Sequence, residues 1–213
     1  MEALENAGVY EPLLSQRHIR LLNLLPGIGD DPICISLRAV SLDDEPEYEA
    51  VSYVWGDPNV TETIICNDAV VSVRKNLYLA LQRFRHAEKP RTLWADALCV
   101  NQEDLDERAE QVQIMHLIYK SCTKCLIWLG PSDEHSEIGL DIVRDIANIV
   151  STRLDVAVDE LDSKLLVTGR DVKQSLDMGF TDLPHRESTK WGSLFHFMCR
   201  DWFARVWVSM RRP

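Results

Sequence analysis

Three short apolar runs constrain this chain more than any other feature: YEAVSYVW (48–55), TLWADALCV (92–100) and KCLIWLG (124–130). Each reads as a buried strand, and segments of helical period lie between them. After the first run, Leu77, Ala80, Leu81 and Phe84 recur at helical spacing in KNLYLALQRFRH. After the second, Asp104 followed three residues later by Glu107 is a capping-box pattern. It opens a helix with the stripe Val112, Met115 and Tyr119, flanked by Ile114 and Ile118. After the third, Ser136 is placed to cap a helix with Ile138, Ile142, Val143, Ile146 and Ile149 on its apolar side. Buried strands alternating with helices predict an α/β fold whose parallel sheet is joined by right-handed crossovers. The strands at 48–55, 92–98 and 124–129 should be adjacent and parallel.

The flanking segments read differently. Residues 13–25 lead into a loop marked by Pro26-Gly27 and Gly29-Asp30-Asp31-Pro32. ICISLRAV (33–40) alternates as a strand with one wet face, and ETIICNDAVVSV (62–73) reads as a β-hairpin turning near Asn67-Asp68. This strand and hairpin are expected to form an antiparallel annex. Residues 153–187 are acidic and weakly periodic, and read as an exposed insertion in a single domain with its core at 13–152 and 188–210. Trp191, Leu194, Phe195, Met198 and Trp202 then mark an amphipathic helix, and 205–210 a last strand.

Charge narrows the partners. Among 213 residues, Asp+Glu is 34 against Lys+Arg 23, a net charge of -11. That balance repels phosphate backbones and anionic lipid surfaces, so neither nucleic acid nor membrane is expected as a partner. MEALENAGVYEP lacks the apolar stretch of a signal peptide, and no run is long enough to span a bilayer. Cys34, Cys66, Cys99, Cys122, Cys125 and Cys199 therefore read as reduced thiols in a cytoplasmic, or alternatively nuclear, protein. Cys122-x-x-Cys125 and His196-x-x-Cys199 have metal-ligand residue types, but they lie on helix and strand segments of apolar character. Buried free thiols are the expectation, and no metal.

In α/β sheets, ligands sit beyond the carboxyl ends of the parallel strands. That rule selects Trp55-Gly56-Asp57, Asn101-Gln102 and Gly130-Pro131-Ser132. Asp96 lies inside an apolar run, where a carboxylate must be paired. It is either half of a structural ion pair, with Arg108 in reach, or a site residue. Asn101 and Gln102 are turn and cap residues or polar contacts to a ligand. Glu107 and Gln111 share a helix face, with Arg108 beside them; Glu107 also serves the capping box. Trp55 is a core residue or a stacking platform.

The chain resembles the fungal heterokaryon incompatibility (HET) domain family over most of its length. The resemblance is carried by HIRLLNLLPG (18–27), YEAVSYVWGDP (48–58), NLYLALQRFR (76–85), LWADALCVNQED (93–104), the helix and strand of 107–130, and RDWFARVW (200–207), in the family's order. It implies non-self recognition after fungal cell fusion and programmed cell death, with protein partners or self-association. It also implies a similarity to TIR domains, whose flavodoxin-like sheet in some members cleaves NAD with a glutamate. Under that alternative NAD is a substrate, no cofactor is needed, and one carboxylate near the ribose suffices. Asp57, Asp96, Glu107, Glu134 and Glu137 are the carboxylates available. Glu137 stands about where a TIR-like hydrolase places its glutamate, and Asp96 is the second catalytic candidate. Trp55, Gly56, Asp57, Asn101, Gln102, Glu107 and Arg108 are the expected substrate contacts. The family continues Arg-x-Trp-x-x-Gln-Glu where this chain reads Arg205-Val-Trp207-Val-Ser209-Met210-Arg211-Arg212-Pro213. A truncated product with an intact fold and weak or no enzymatic activity is therefore expected.

Overall fold

In β3, Glu49–Tyr53, the consecutive residues Ala50 and Val51 are both buried. Neighbouring side chains point to opposite faces of a strand, so β3 is covered on both sides, as a central parallel strand must be. It pairs in parallel with β6, Arg91–Trp94, on one side and with β7, Lys124–Trp128, on the other. The computed structural model describes residues 9–154, 157, 184–185 and 188–204. The chain divides into two compact units, Met1–Gly130 and Pro131–Pro213.

The first unit is an α/β domain. β1 (His18–Leu24), β2 (Cys34–Ser41), β4 (Thr61–Cys66) and β5 (Ala69–Arg74) join the three parallel strands in one sheet, ordered β5-β4-β2-β1-β6-β3-β7. The trio β6-β3-β7 stands second, first and third along the chain, the arrangement that opens a doubly wound sheet. The predicted adjacency of these three strands holds. The antiparallel annex holds in part, in the β4–β5 hairpin. β1 was not foreseen as a strand, yet it lies antiparallel to both β2 and β6 and welds the two halves together. The annex is also not purely antiparallel, since β2 pairs with β4 in parallel. The β4–β5 hairpin turns at Asn67 and Asp68, both at positive φ (48° and 67°), as a tight two-residue turn requires.

The second apolar run is strand only at its start. It stops at Trp94, and Asp96–Cys99 form a helical turn, α2. A run of this length does not distinguish strand from helix by periodicity. Asp96 therefore opens a helix instead of lying within a strand, and its Oδ1 accepts the Ala97 N–H at 2.8 Å. α1, Lys75–Phe84, buries Leu77, Ala80 and Leu81 as predicted.

α3, Leu105–Ser121, is capped by Asp104, which accepts from Asp106 N and Glu107 N. The other half of the capping box is diverted: the Glu107 carboxylate binds Arg20 and the Asn101 N–H. The buried residues of α3 are Gln111 and Ile118, and Val112, expected inside, is exposed. Tyr48 Oη donates to Ile118 O at 2.6 Å and Tyr119 Oη to Val51 O at 3.2 Å, which tie α3 to β3 and its approach.

The second unit contains α4, Ser136–Leu154, and α5, Lys190–Met198, followed by a 3-10 turn at Asp201–Ala204. Asp133 precedes α4 and exchanges hydrogen bonds with the Ser136 hydroxyl, and its Oδ1 also accepts the His135 N–H at 3.0 Å. A Cβ on Gly139 would stand 2.7 Å from Phe197 Cβ, so only glycine allows α4 and α5 this approach. Ile142 and Phe197 are buried, whereas Ile138, Val143, Phe195 and Met198 are exposed, which shifts the predicted stripes on both helices. The expected strand at 205–210 and most of the 153–187 insertion lie outside the described residues. No helix among those described is long and apolar enough to cross a membrane.

Candidate functional site

The parallel strands β3 and β6 end at one edge of the first unit. Trp55 follows β3 and Asp96 follows β6, and the indole Nε1 of Trp55 donates to Asp96 Oδ2 at 2.9 Å. The buried-side partner of the Asp96 carboxylate is thus an indole N–H and not a cation. Arg108, the expected ion-pair partner, is exposed and forms no ion pair among the described residues.

Two cavities are lined by Trp55, and Asp96 lines one of them. The larger, about 260 Å³, is bounded by Tyr10, Tyr53, Trp55, Arg74, Gln102 and Glu103, with an apolar floor from Val71, Val73 and Leu77. The smaller, about 160 Å³, is bounded by Trp55, Trp94, Asp96, Gln102 and Arg108, with Val100, Gln111, Val112 and Met115. Trp55 and Gln102 belong to both and form the partition. Gln102 is fixed there by Nε2 bonds to Asp96 O at 2.9 Å and Val100 O at 3.4 Å.

Arg74, which ends β5, sets the position of Trp55. Its guanidinium lies 5.0 Å from the Trp55 ring centroid, and Nη1 donates to Gly56 O at 2.9 Å. Gly56 has φ 77° and turns the chain sharply after the tryptophan. Asn76 completes the support: its Nδ2 donates to Val54 O, and its Oδ1 accepts from Trp128 Nε1 at 2.9 Å. One residue of α1 thus joins the carboxyl ends of β3 and β7.

Burial governs the phenols of the larger cavity. It pushes Tyr10 up to about 12. Tyr53 is raised well above 10.0, first by burial and then by the charge and hydrogen-bonding of Asp96. Both stay protonated near neutrality. Two buried side-chain atoms of residues beside the smaller cavity, Trp94 Nε1 and Gln111 Oε1, have no hydrogen-bond partner among the described residues.

The predicted site residues distribute as follows. Trp55, Asp96 and Gln102 come together, and Arg108 lines the smaller cavity. Gly56 shapes the turn. Asp57 is exposed and accepts from Asn59 N at 2.9 Å, an Asx turn. Asn101 accepts from Glu103 N at 3.2 Å and lines neither cavity. Glu107 is the half-buried partner of the buried Arg20. Glu134 and Glu137 are exposed residues of the second unit and line neither cavity. Arg74, Tyr53 and Trp94 were not selected from sequence. The strand-end rule applied to Trp94 as well as to Trp55 would have found it; Arg74 gives no such signal.

Cys122 and Cys125 are in the first unit, and His196 and Cys199 in the second. Cys125 and Cys199 are exposed, contrary to the expectation of buried thiols, whereas Cys66 and Cys99 are buried. Among the described residues no group of three or more His, Cys, Asp or Glu side chains is placed to hold a metal ion.

The chain spans 31% of the length of a curated relative, heterokaryon incompatibility protein 6, OR allele, of Neurospora crassa, and is 29% identical to it over 90% of its own residues. No solved structure matches. The family model of the heterokaryon incompatibility protein (HET) matches residues 48–209, which include β3, β6, β7 and the Trp55–Asp96 pair. The chain belongs to the heterokaryon incompatibility (HET) family.

Proposed function

We propose that this chain is a signalling domain of fungal non-self recognition that commits cells to death through protein partners or self-association. The observation that carries this reading is the match of the HET family over 48–209, together with a similar protein whose name describes incompatibility. The negative charge is consistent with protein partners in the cytoplasm and disfavours nucleic acid. The test is inducible expression in a filamentous fungus, scored by growth arrest and vital-dye uptake. A core variant, Leu22→Asp, serves as the unfolded control. Death with the chain and survival with the control support the reading. Survival with both, at equal protein levels, refutes it for this length of chain.

A second reading is cleavage of NAD, with no further cofactor. A concave site holding a carboxylate and an indole at the strand carboxyl ends favours it. In such a reaction nicotinamide leaves with the electrons of the broken bond, and water then attacks the ribose carbon and gives up a proton to solvent. A carboxylate stabilises the cationic sugar between the two events. Asp96 is the candidate of the first unit and Glu137 that of the second. The assay is nicotinamide release by the purified chain. Turnover abolished by Asp96→Asn or Glu137→Gln supports the reading and assigns the acid. No release above buffer rejects it.

A further inference from the structure

We propose that two copies of this chain pair antiparallel along the outer edge of β5, which carries the sheet from one protomer into the other. This gives a surface to the self-association proposed above, and it rests on that part of the reading and not on death signalling. β5 ends the sheet and pairs only with β4. The Lys75 N–H donates to Val60 O at 2.9 Å, one step beyond the β4–β5 ladder. Hydrogen bonding alternates along an antiparallel pair, so Ala69, Val71 and Val73 turn their peptide groups toward β4, as Lys75 does. The N–H and C=O of Val70 and Ser72 therefore point outward, and among the described residues no strand meets them. Both residues are exposed, Val70 at 57%, so an incoming strand can reach them.

An open edge is ordinarily guarded by a lysine, a proline or a bulge. The segment 69–73, AVVSV, holds no charge, no proline and no glycine, and its register with β4 runs without a bulge. The residues at its ends identify the occupant. The exposed Asp68 precedes it, and Arg74 and Lys75 follow. Outward residues must meet outward residues for a ladder to form, and a two-fold axis at Val71 achieves this. Val70 then exchanges peptide hydrogen bonds with the partner's Ser72, and Ser72 with the partner's Val70. The same register sets Asp68 opposite the partner's Arg74 at both ends, where opposite charges attract. A parallel copy would instead bring like charges together. The contact is one short strand wide, so the dimer is weak and reversible.

Sedimentation equilibrium of the full chain from about 10 to 500 μM measures the association. Salt at about 0.15 M leaves a Debye length of roughly 8 Å, which screens the repulsion between two chains of net charge -11. The mass should rise from monomer toward dimer, and the Val70 and Ser72 amides should exchange more slowly by NMR as it does. Ser72→Pro removes an outward N–H that β4 does not use, at an edge position that tolerates proline, and should weaken the dimer about tenfold or more. Val70→Lys alters only an exposed side chain, guards the edge, and should do the same. Circular dichroism checks the fold of each, and either folded variant decides the matter by itself. A chain monomeric throughout overturns the proposal and the self-association with it. A dimer unmoved by the folded variants overturns this surface and leaves self-association standing. Slow exchange of the two amides in a purely monomeric chain hands the edge to another segment of the same chain and overturns it too.

Discussion

Arg20 and Glu107 lie 87 residues apart and meet as a two-pronged ion pair, Nη1 to Oε1 at 2.6 Å and Nη2 to Oε2 at 2.9 Å. The arginine side chain is 2% exposed and the glutamate 12%. Arg20 also donates to the carbonyls of Glu11 and Cys99 and lies over the Tyr10 ring. Strand β1, the start of α3 and the end of α2 are thereby held at one point. Removing one partner strands the other charge. Glu107→Gln should cost about 3–5 kcal/mol, whereas Arg20→Met with Glu107→Leu should recover most of that loss. Urea unfolding of Arg20→Met, of Glu107→Leu and of the two combined measures the coupling.

The β4–β5 turn gives the opposite sign. Asp68 holds φ 67°, a region glycine enters without penalty. Asp68→Gly should raise stability by up to about 1 kcal/mol, since Asn-Gly is the preferred pair for such a turn. Asp68→Val should lower it by about 1–2 kcal/mol. Thermal melting of both variants against the parent checks the pair.

Asp133 sets an acid limit on the second unit. The Ser136 hydroxyl, the His135 N–H and the Arg200 guanidinium lower its carboxyl from 3.8 to about 2. A lowered value means that the folded state favours the ionised form. The contribution is present above pH 3.8 and is lost as the pH falls through about 2. A carboxyl NMR titration should place the Asp133 midpoint near 2, and Ser136→Ala should move it upward. A midpoint already at the ordinary value in the parent would contradict the Asp133–Ser136 geometry.

Thiol chemistry should follow burial. Burial raises Cys66 to about 11 and Cys99 to about 12. Cys125 and Cys199 are exposed. Iodoacetamide at neutral pH should therefore modify Cys125 and Cys199 first. Cys66 and Cys99 should react only after denaturation, because the thiolate is the nucleophile. Peptide mass spectrometry after timed quenching resolves the order.

What could be read from sequence follows the strength of each periodic signal. β3, α1, the hairpin and β7 carried clean patterns and were found. β1 was missed because HIRLLNL neither alternates nor runs unbroken. Ile19 to Leu22 are all buried, and the one cation among them, Arg20, is inside only because Glu107 neutralises it. On α3 the buried face includes Gln111, a residue that polarity alone assigns to solvent. That Trp55, Asp96 and Gln102 come together was legible because the ends of parallel strands share one edge of the sheet. Arg74 was not, since its role depends on the hairpin folding back beside the tryptophan, which no local pattern encodes.

The antiparallel seam between β1 and β6 has a consequence for synthesis. Leu22 stands opposite Leu93, so the strand at the middle of the sheet is translated long before the neighbour that shields it. At roughly 5–20 residues per second, several seconds separate the two on the ribosome. During that interval Ile19, Leu21, Leu22 and Leu24 can find β2 but not β6, leaving one edge of a very apolar hairpin open. The nascent chain is most vulnerable to aggregation then, and chaperone occupancy should peak before residue 94 emerges.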